Sequence, residues 1–250
     1  MNKIRISAVS YTNTKPFVYG LQHSDIIDLI DLSLDIPSDC ARKLIDGQVD
    51  VGLVPVVALL DIPDYQIISD YCIGAVAAVN SVFIFSEKPV EEIRTLRLDS
   101  QSRTSNQLAK VLLKNYWHKQ PEFVTDGEAD AFVEIGDRTF GKKDKIPYAY
   151  DLAEEWIKFT GLPFTFAVWA ANKSIPQSFI EKFNDALKFG LDHREEVIKL
   201  LPVNNDFDLE DYLYRHIDFS LDQNKKEALD KFLDLVKSLN SPEVGKSGSR

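Results

Sequence analysis

Short apolar runs typical of β-strands alternate with helical patterns along most of this chain. Strand-like runs, rich in β-branched residues, are predicted at residues 4–9, 30–34, 49–55, 75–86, 95–98, 131–135 and 164–170. Helical spacing of apolar residues predicts helices at 36–46, 105–117 and 152–159, and over most of the chain after Ile175. This alternation predicts an α/β protein, in which ligands usually bind just beyond the ends of the strands.

The order of these segments predicts two lobes. The runs at 75–86 and 164–170 bracket a second set of strands and helices, so the chain should leave the first lobe, build the second and return. We therefore assign residues 1–84 and 168–250 to lobe one and residues 85–167 to lobe two. Two such crossings imply a hinge and a central cleft lined by strand ends from both lobes.

Composition narrows the class of protein. With 44% hydrophobic and 27% charged residues, the chain has the balance of a compact globular protein. Its 39 acidic and 29 basic residues give a net charge of −10, which disfavours nucleic-acid and anionic-membrane partners. The first residues are too charged for a signal peptide and no run of 18 apolar residues follows, so a cytoplasmic location is expected. Residues 245–250 are expected to form a disordered tail.

Cysteine and histidine are placed in ways that disfavour metal, redox and hydrolase chemistry. Cys40 and Cys72 lie in no C-x-x-C or zinc-type spacing, and we expect them to be buried thiols. No pair of histidines has the i, i+4 spacing of a metal site, and no G-x-S-x-G motif is present. The four histidines are His23, His118, His193 and His216.

A polar segment follows the first predicted strand directly. Residues 10–16, Ser-Tyr-Thr-Asn-Thr-Lys-Pro, hold three aliphatic hydroxyls, a phenol, a carboxamide and an ammonium group. Such a segment is also typical of a turn that caps a helix, which is the plainer interpretation. The functional interpretation places Asn13 and Lys15 at the cleft, because a carboxamide can donate to a carboxylate and also accept from a hydroxyl.

A second polar segment lies between a strand and a helix, at residues 98–105. Here the free N–H groups and the dipole of a helix N-terminus favour anions, and the Arg103 guanidinium suits a carboxylate. Ser/Thr clusters at this place are otherwise simple helix caps. Together with the first segment, Arg103, Thr104 and Ser105 suit a ligand that carries two acidic groups.

Two further positions are candidates. Ser81 is a hydroxyl in the otherwise apolar run at 75–86, where it either bonds to a neighbouring strand or faces the floor of the cleft. Asp137 follows Gly136 at the end of a strand, where it either orients a donor or forms part of a tight turn with a surface ion pair.

Several collinear segments resemble one known family. The resemblance covers roughly residues 4–175 and is carried by Val9-Ser-Tyr-Thr-Asn-Thr-Lys-Pro16, Gly47-Gln-Val-Asp-Val-Gly-Leu-Val-Pro55, Asn80-Ser-Val-Phe-Ile-Phe-Ser86, Ser102-Arg-Thr-Ser105, Ile135-Gly-Asp137 and Asp151-Leu-Ala-Glu-Glu-Trp156 with Thr160-Gly-Leu-Pro-Phe164. In this order they resemble the menaquinone-biosynthesis enzymes of the futalosine pathway, specifically the chorismate dehydratase branch. One departure is Thr12, where we expect the family to hold an apolar residue.

The resemblance implies a periplasmic-binding-protein type II fold used as an enzyme. The implied reaction converts chorismate, a small dianion, to 3-[(1-carboxyvinyl)oxy]benzoate with loss of water, and no cofactor or metal is expected. It ties Asn13 and Ser81 to the reaction and residues 103–105 to binding of a substrate carboxylate. Our mechanistic hypothesis is a substrate-assisted elimination in which the enolpyruvyl carboxylate takes the ring proton.

Other functions are compatible with the same predicted fold. They are a solute-binding protein for a small organic anion, the sister enzyme that makes 1,4-dihydroxy-6-naphthoate and is expected to use a histidine base, and a regulatory domain of the LysR effector type. The solute-binding protein is disfavoured because no signal peptide is predicted, and the sister enzyme because no histidine lies in the polar turns. The regulatory domain is disfavoured because no helix-turn-helix is predicted before residue 4. The sequence is compatible with a monomer or a homodimer.

Overall fold

Two β-sheets, each packed against helices, make up the fold. A computed structural model of the chain describes residues 3–240. The larger sheet has the strand order β11-β4-β10-β3-β1-β2, and the smaller has the order β7-β6-β8-β5-β9. The lobes that carry them are called the larger and the smaller lobe below. The α/β class and the two-lobed architecture predicted from the sequence are confirmed.

The larger sheet is mixed. Its strands are β1 (Ile4–Val9), β2 (Ile30–Asp35), β3 (Val51–Pro55), β4 (Gln66–Ala75), β10 (Phe164–Ala171) and β11 (Asp218–Ser220). Strand β1 pairs in parallel with β2 and β3, whereas β10 runs antiparallel to β3 and β4. All five residues of β3 are buried, as the continuous apolar run predicts for a strand covered on both faces.

The smaller sheet is built by the middle of the chain. Its strands are β5 (Val82–Ser86), β6 (Thr95–Arg97), β7 (Glu122–Val124), β8 (Ala131–Ile135) and β9 (Tyr148–Asp151). Strand β6 pairs in parallel with β7 and β8, and β5 runs antiparallel to β8 and β9.

Helices connect and cover the strands. They are α1 (Lys15–Gln22), α2 (Pro37–Ile45), α3 (Arg103–Asn115), α4 (Leu152–Thr160), α5 (Gln177–Asp192), α6 (Arg194–Leu200), α7 (Leu209–Asp211) and α8 (Gln223–Asn240). Helices α2, α3 and α4 confirm the predictions within a few residues. No helix among residues 3–240 is both long and apolar enough to cross a membrane.

The chain crosses between the sheets twice, as predicted, but the first crossing is not one continuous strand. The prediction of a strand over 75–86 is wrong, because β4 ends at Ala75 and β5 begins only at Val82. Between them Asn80 has a φ of +57°, which strand geometry does not permit. Asp151 stabilises this break, since its carboxylate accepts hydrogen bonds from the backbone N–H groups of Val79 and Asn80.

The division at residues 84/85 and 167/168 remains a proposal. Each of these positions falls within a strand that belongs to a single sheet, β5 in the smaller and β10 in the larger. The sheet assignments favour boundaries a few residues earlier, in segments 76–81 and 161–163. The tail predicted at 245–250 lies outside the described residues.

Aromatic side chains pack against each other where the two lobes meet. Trp156 on α4 is fully buried against Phe164 of β10 and Phe232 of α8, with ring centroids 5.4 and 5.8 Å away. The C-terminal helix therefore packs across the junction of the two lobes. Cys40 and Cys72 are buried free thiols, as predicted.

Candidate active site

A cavity that is partly open to solvent lies between the two lobes. The residues that line it are mostly apolar or hydroxyl-bearing, and no described residue among them is charged: Val9, Tyr11, Asn13, Thr14, Pro37, Leu53, Pro55, Ile73, Val79, Ser81, Val82, Ser102, Thr104, Ser105, Ile135, Gly136, Phe166 and Ala167. The ends of strands β1, β3 and β8 all reach it, as expected for an α/β protein.

The segment after β1 brings Asn13 to the cavity from the larger lobe. A 3₁₀ turn over Thr12–Thr14 leads directly into α1, whose N-terminus is favoured by Pro16. The Asn13 carboxamide oxygen accepts a hydrogen bond from the Thr14 hydroxyl at 3.1 Å, which leaves the amide N–H groups to act as donors. Lys15 lies outside this cavity and lines a separate surface groove.

Ser81 enters the cavity from the crossing segment. Its side chain is buried, and its backbone carbonyl accepts a hydrogen bond from the Gly136 N–H at 2.8 Å. The hydroxyl of Tyr212 lies 2.8 Å from the Ser81 Oγ. The serine is therefore fixed at both its backbone and its side chain.

Asp151 holds the crossing segment in place. Its carboxylate accepts hydrogen bonds from the backbone N–H groups of Val79, Asn80, Ala153 and Glu154, at 2.7 to 3.2 Å. Burial raises the pKa of Asp151 to about 6, while the backbone donors act in the opposite direction. One side chain thus caps α4 and shapes the backbone just before Ser81.

The N-terminus of α3 faces the cavity from the smaller lobe. The Ser102 side chain caps the helix by accepting a hydrogen bond from the Ser105 N–H at 3.1 Å. Thr104 and Ser105 are buried, and the Thr104 hydroxyl also accepts a bond from the Val57 N–H of the larger lobe at 3.3 Å. The first N–H groups of a helix have no partner within it, so this end can bind an anion.

Arg103 is directed away from this cavity. Its guanidinium pairs with Asp61 of the larger lobe, and the two side chains are 40% and 49% exposed. The carboxylate-binding role expected for Arg103 is therefore not supported by its position, because its charge is already matched at the surface.

Asp137 links the two lobes through hydrogen bonds to Thr12. Its carboxylate accepts hydrogen bonds from the Thr12 N–H at 3.1 Å and from the Thr12 hydroxyl at 3.0 Å. Nearby, Gly136 has a φ of +65°, and a Cβ there would lie only 2.9 Å from the Tyr11 ring. A glycine is required for this close approach of the two polar turns.

The structure brings together four of the seven predicted site residues. Asn13, Ser81, Thr104 and Ser105 line one cavity, whereas Lys15, Arg103 and Asp137 do not. The sequence interpretation missed Tyr212, which lies 131 positions from Ser81 in a segment that reads simply as helical. No local pattern in the sequence marks it.

Histidine and metal chemistry have no obvious place at the cavity. None of the four histidines lines it, and the His216 Nδ1 lies 2.8 Å from the Ala78 carbonyl oxygen. Among residues 3–240, no group of three or more histidine, cysteine or acidic side chains is arranged to hold a metal ion.

Comparisons with known proteins point to one family. Residues 4–238 match a family described as menaquinone biosynthesis. A chorismate dehydratase of Thermus thermophilus is 26% identical over 188 residues, which cover 65% of this chain and 69% of that protein. A chorismate dehydratase of Campylobacter jejuni is 30% identical over 157 residues, covering 60% of this chain and 62% of that protein.

Solved structures are similar in fold. A protein from Archaeoglobus fulgidus has a TM-score of 0.70 at 16% identity, over 95% of this chain and 98% of its own. A Candida albicans protein with the generic periplasmic-binding-protein fold has a TM-score of 0.67 at 14% identity, over 97% and 92%. An alkanesulfonate-binding protein from Xanthomonas axonopodis has a TM-score of 0.65 at 14% identity, over 96% and 94%. The predicted periplasmic-binding-protein fold is thereby confirmed.

Proposed function

The chain belongs to the menaquinone biosynthesis family, and from that premise we propose that it is a chorismate dehydratase. The reaction converts chorismate to 3-[(1-carboxyvinyl)oxy]benzoate and water. The observation that supports this proposal most directly is that Asn13 and Ser81, from different parts of the fold, line the same cavity between the lobes. The names of the two bacterial relatives agree with it.

Neutral donors would hold the dianionic substrate. The free N–H groups at the start of α3, with the hydroxyls of Thr104 and Ser105, suit one carboxylate, and the helix dipole favours its charge. The Asn13 amide suits the second polar group from the opposite side. Because the lining is otherwise apolar, these hydrogen bonds would act in a medium of low dielectric constant, where they are stronger than in water.

The chemistry is an elimination that makes the ring aromatic. The electron pair of a ring C–H bond becomes a ring π bond, the C–O bond to the hydroxyl breaks, and the hydroxyl leaves as water. In our proposal the substrate's own enolpyruvyl carboxylate takes the ring proton, because none of the described residues that line the cavity is acidic or a histidine. Asn13 holds that carboxylate in a reactive geometry, and Ser81 donates a hydrogen bond to the leaving hydroxyl. The proton that this carboxylate has taken then passes to the departing oxygen, so water leaves and the carboxylate is ionised again while the enzyme is unchanged.

Two other functions fit a fold of this kind. The sister enzyme that makes 1,4-dihydroxy-6-naphthoate is expected to use a histidine base, and no histidine faces this cavity. A solute-binding protein would enclose the anion without changing it. Neither alternative accounts for the pairing of Asn13 and Ser81 as directly as the dehydratase does.

Incubation of the purified chain with chorismate tests the proposal. We expect mass spectrometry to detect a product lighter than chorismate by one water. Chorismate that is recovered unchanged while it protects the chain from thermal unfolding would instead identify a binding protein. Conversion of a cyclic futalosine derivative, but not of chorismate, would identify the sister enzyme. The cytoplasmic location and the monomer or homodimer remain predictions, which cell fractionation and light scattering would check.

A further inference from the structure

A buried tyrosine contacts the proposed catalytic serine. Tyr212 is almost fully buried, and its hydroxyl oxygen lies 2.8 Å from the Ser81 Oγ. It begins a single turn of π-helix over Tyr212–His216, directly after α7. Turns of this kind are rare in proteins, and those that occur are often found at functional sites. The contact joins the last third of the chain to the floor of the cavity.

The direction of the hydrogen bonds follows from their partners. Asn13 lowers the pKa of Tyr212, which is the effect of an amide N–H that donates to the phenol oxygen. Burial raises the pKa of Tyr212 well above its ordinary value, with a smaller opposing effect from Ser81 and Asn13. The phenol therefore keeps its proton, and the hydrogen bond runs from the Tyr212 O–H to the Ser81 Oγ.

This order leaves the proton of Ser81 free for a third partner. A serine oxygen that accepts from the tyrosine can direct its own O–H into the cavity. Each bond in such a chain polarises the next, which strengthens the last donor. Asn13 also acts on the Tyr212 hydroxyl, because it lowers the pKa of the phenol, so the tyrosine interacts with both proposed catalytic residues.

Aromatic packing fixes the position of the tyrosine ring. Phe140, in the turn after β8, and Phe207, just before α7, stack on each other with centroids 3.8 Å apart. Both meet the Tyr212 ring edge to face, at 5.4 and 5.3 Å. The tyrosine is thus held by a residue from the smaller lobe and by one from the returning part of the chain.

We propose that Tyr212 is a positioning residue that orients the Ser81 hydroxyl toward the leaving group of the substrate. This inference rests on the proposed dehydratase function. It assigns to Tyr212 no direct contact with the reacting atoms, so its effect should be exerted entirely through Ser81.

The test compares Tyr212→Phe, Ser81→Ala and the double variant with the wild-type chain. Tyr212→Phe keeps the ring and removes only the hydroxyl, so kcat for chorismate should fall roughly 10- to 100-fold while KM changes little. In the Ser81→Ala background the same substitution should have almost no further effect on kcat. Tyr150→Phe is the matched control, because the Tyr150 hydroxyl accepts a bond from the Val90 N–H at 2.8 Å, away from the cavity. It should leave kcat unchanged.

The outcomes are distinguishable. Unchanged kcat in Tyr212→Phe, or an equal loss with and without Ser81, would overturn the role of Tyr212 while leaving the dehydratase function intact. A loss that follows only the melting temperature, and that Tyr150→Phe shares, would also overturn it and indicate a purely structural bond. A wild-type chain that releases no product from chorismate would overturn the proposed function, and the inference with it.

Discussion

The described side chains that line this cavity are neutral, and neither arginine nor lysine is among them. The cationic groups expected there, Lys15 and Arg103, lie elsewhere, and Arg103 is already paired with Asp61. Burying an unpaired cation in an apolar cleft is costly, whereas amides, hydroxyls and a helix N-terminus bring partial charges that are already oriented. Sequence could identify the two polar turns from their residue types. It could not show which side chains turn inward, because that depends on partners from other elements.

Asn13→Asp places a full negative charge in this apolar environment. Beside a substrate carboxylate roughly 4 Å away, the repulsion is on the order of 4 kcal/mol at an effective dielectric constant of about 20. Steady-state assays should therefore show kcat/KM lower by about a thousandfold. Because burial raises the pKa of a carboxyl group, lowering the pH should restore part of the activity by neutralising the new aspartate. Asn13→Ala, which adds no charge, should lose less, and near-wild-type activity of Asn13→Asp would remove Asn13 from the site.

Neighbouring residues at the start of α3 should respond differently to substitution. Ser105→Ala removes a buried hydroxyl that lines the cavity, and loss of a hydrogen bond to a charged group costs about 1.5–3 kcal/mol. We expect KM for chorismate to rise roughly 10- to 100-fold. Arg103→Ala removes only a half-exposed ion pair and should leave KM within about twofold of the wild-type value. A tenfold rise in KM for Arg103→Ala would return the arginine to the site.

Secondary-structure elements were predictable where apolar periodicity decides them. Strands β1 and β8 match their predicted bounds, and β3 is close to its own, because continuous or alternating apolar residues specify buried strands. The short strands β7, β9 and β11 were missed, since three or four residues carry no measurable period, and the longer strand β4 was missed except for Ala75. The break between β4 and β5 was missed for another reason. It depends on the carboxylate of Asp151, about 70 positions further along the chain.

Close packing of α1 against α5 positions the loop that carries Asn13. A Cβ built on Gly190 would lie 1.8 Å from the Pro16 carbonyl oxygen, and one on Gly20 would lie 2.0 Å from that of Ala186. The two helices therefore cross backbone to backbone. Because α1 begins two residues after Asn13, this crossing sets where the site loop ends.

Gly190→Ala should force the two helices apart. Overpacking of about 3 kcal/mol lowers the melting temperature of a chain of this size by roughly 6–12 °C, which calorimetry would measure. Lys182→Ala, an exposed position on the same helix, should shift stability by no more than about 0.5 kcal/mol. If both variants have the melting temperature of the wild type, the helices have room to adjust, and their crossing does not fix the position of the Asn13 loop.

The molecule as a whole is held together around the cavity by bonds between its lobes. Asp137 accepts from Thr12, Thr104 accepts from Val57, and each pair joins the larger lobe to the smaller. Two-lobed folds of this type close on ligands by hinge motion. The sequence could predict two lobes and a cleft from the order of the elements. It gave no indication that Thr12, the expected departure from the family pattern, supplies both donors of one of these bonds.

Asp137→Ala should shift the population toward more open forms. Without this acceptor the Thr12 N–H and hydroxyl lose their partner across the cleft, and the apparent affinity for a ligand falls by the fraction of molecules that remain closed. We expect Kd for 3-[(1-carboxyvinyl)oxy]benzoate to rise on the order of tenfold. Small-angle scattering should show a larger radius of gyration than the wild type without ligand, and the same radius at saturation.

The control is Asp144→Ala, which changes another exposed aspartate of the smaller lobe and should match the wild type in both measurements. Since Asp137 does not line the cavity, a fall in kcat with unaltered affinity and scattering would contradict this role and point instead to a disturbed Asn13 loop.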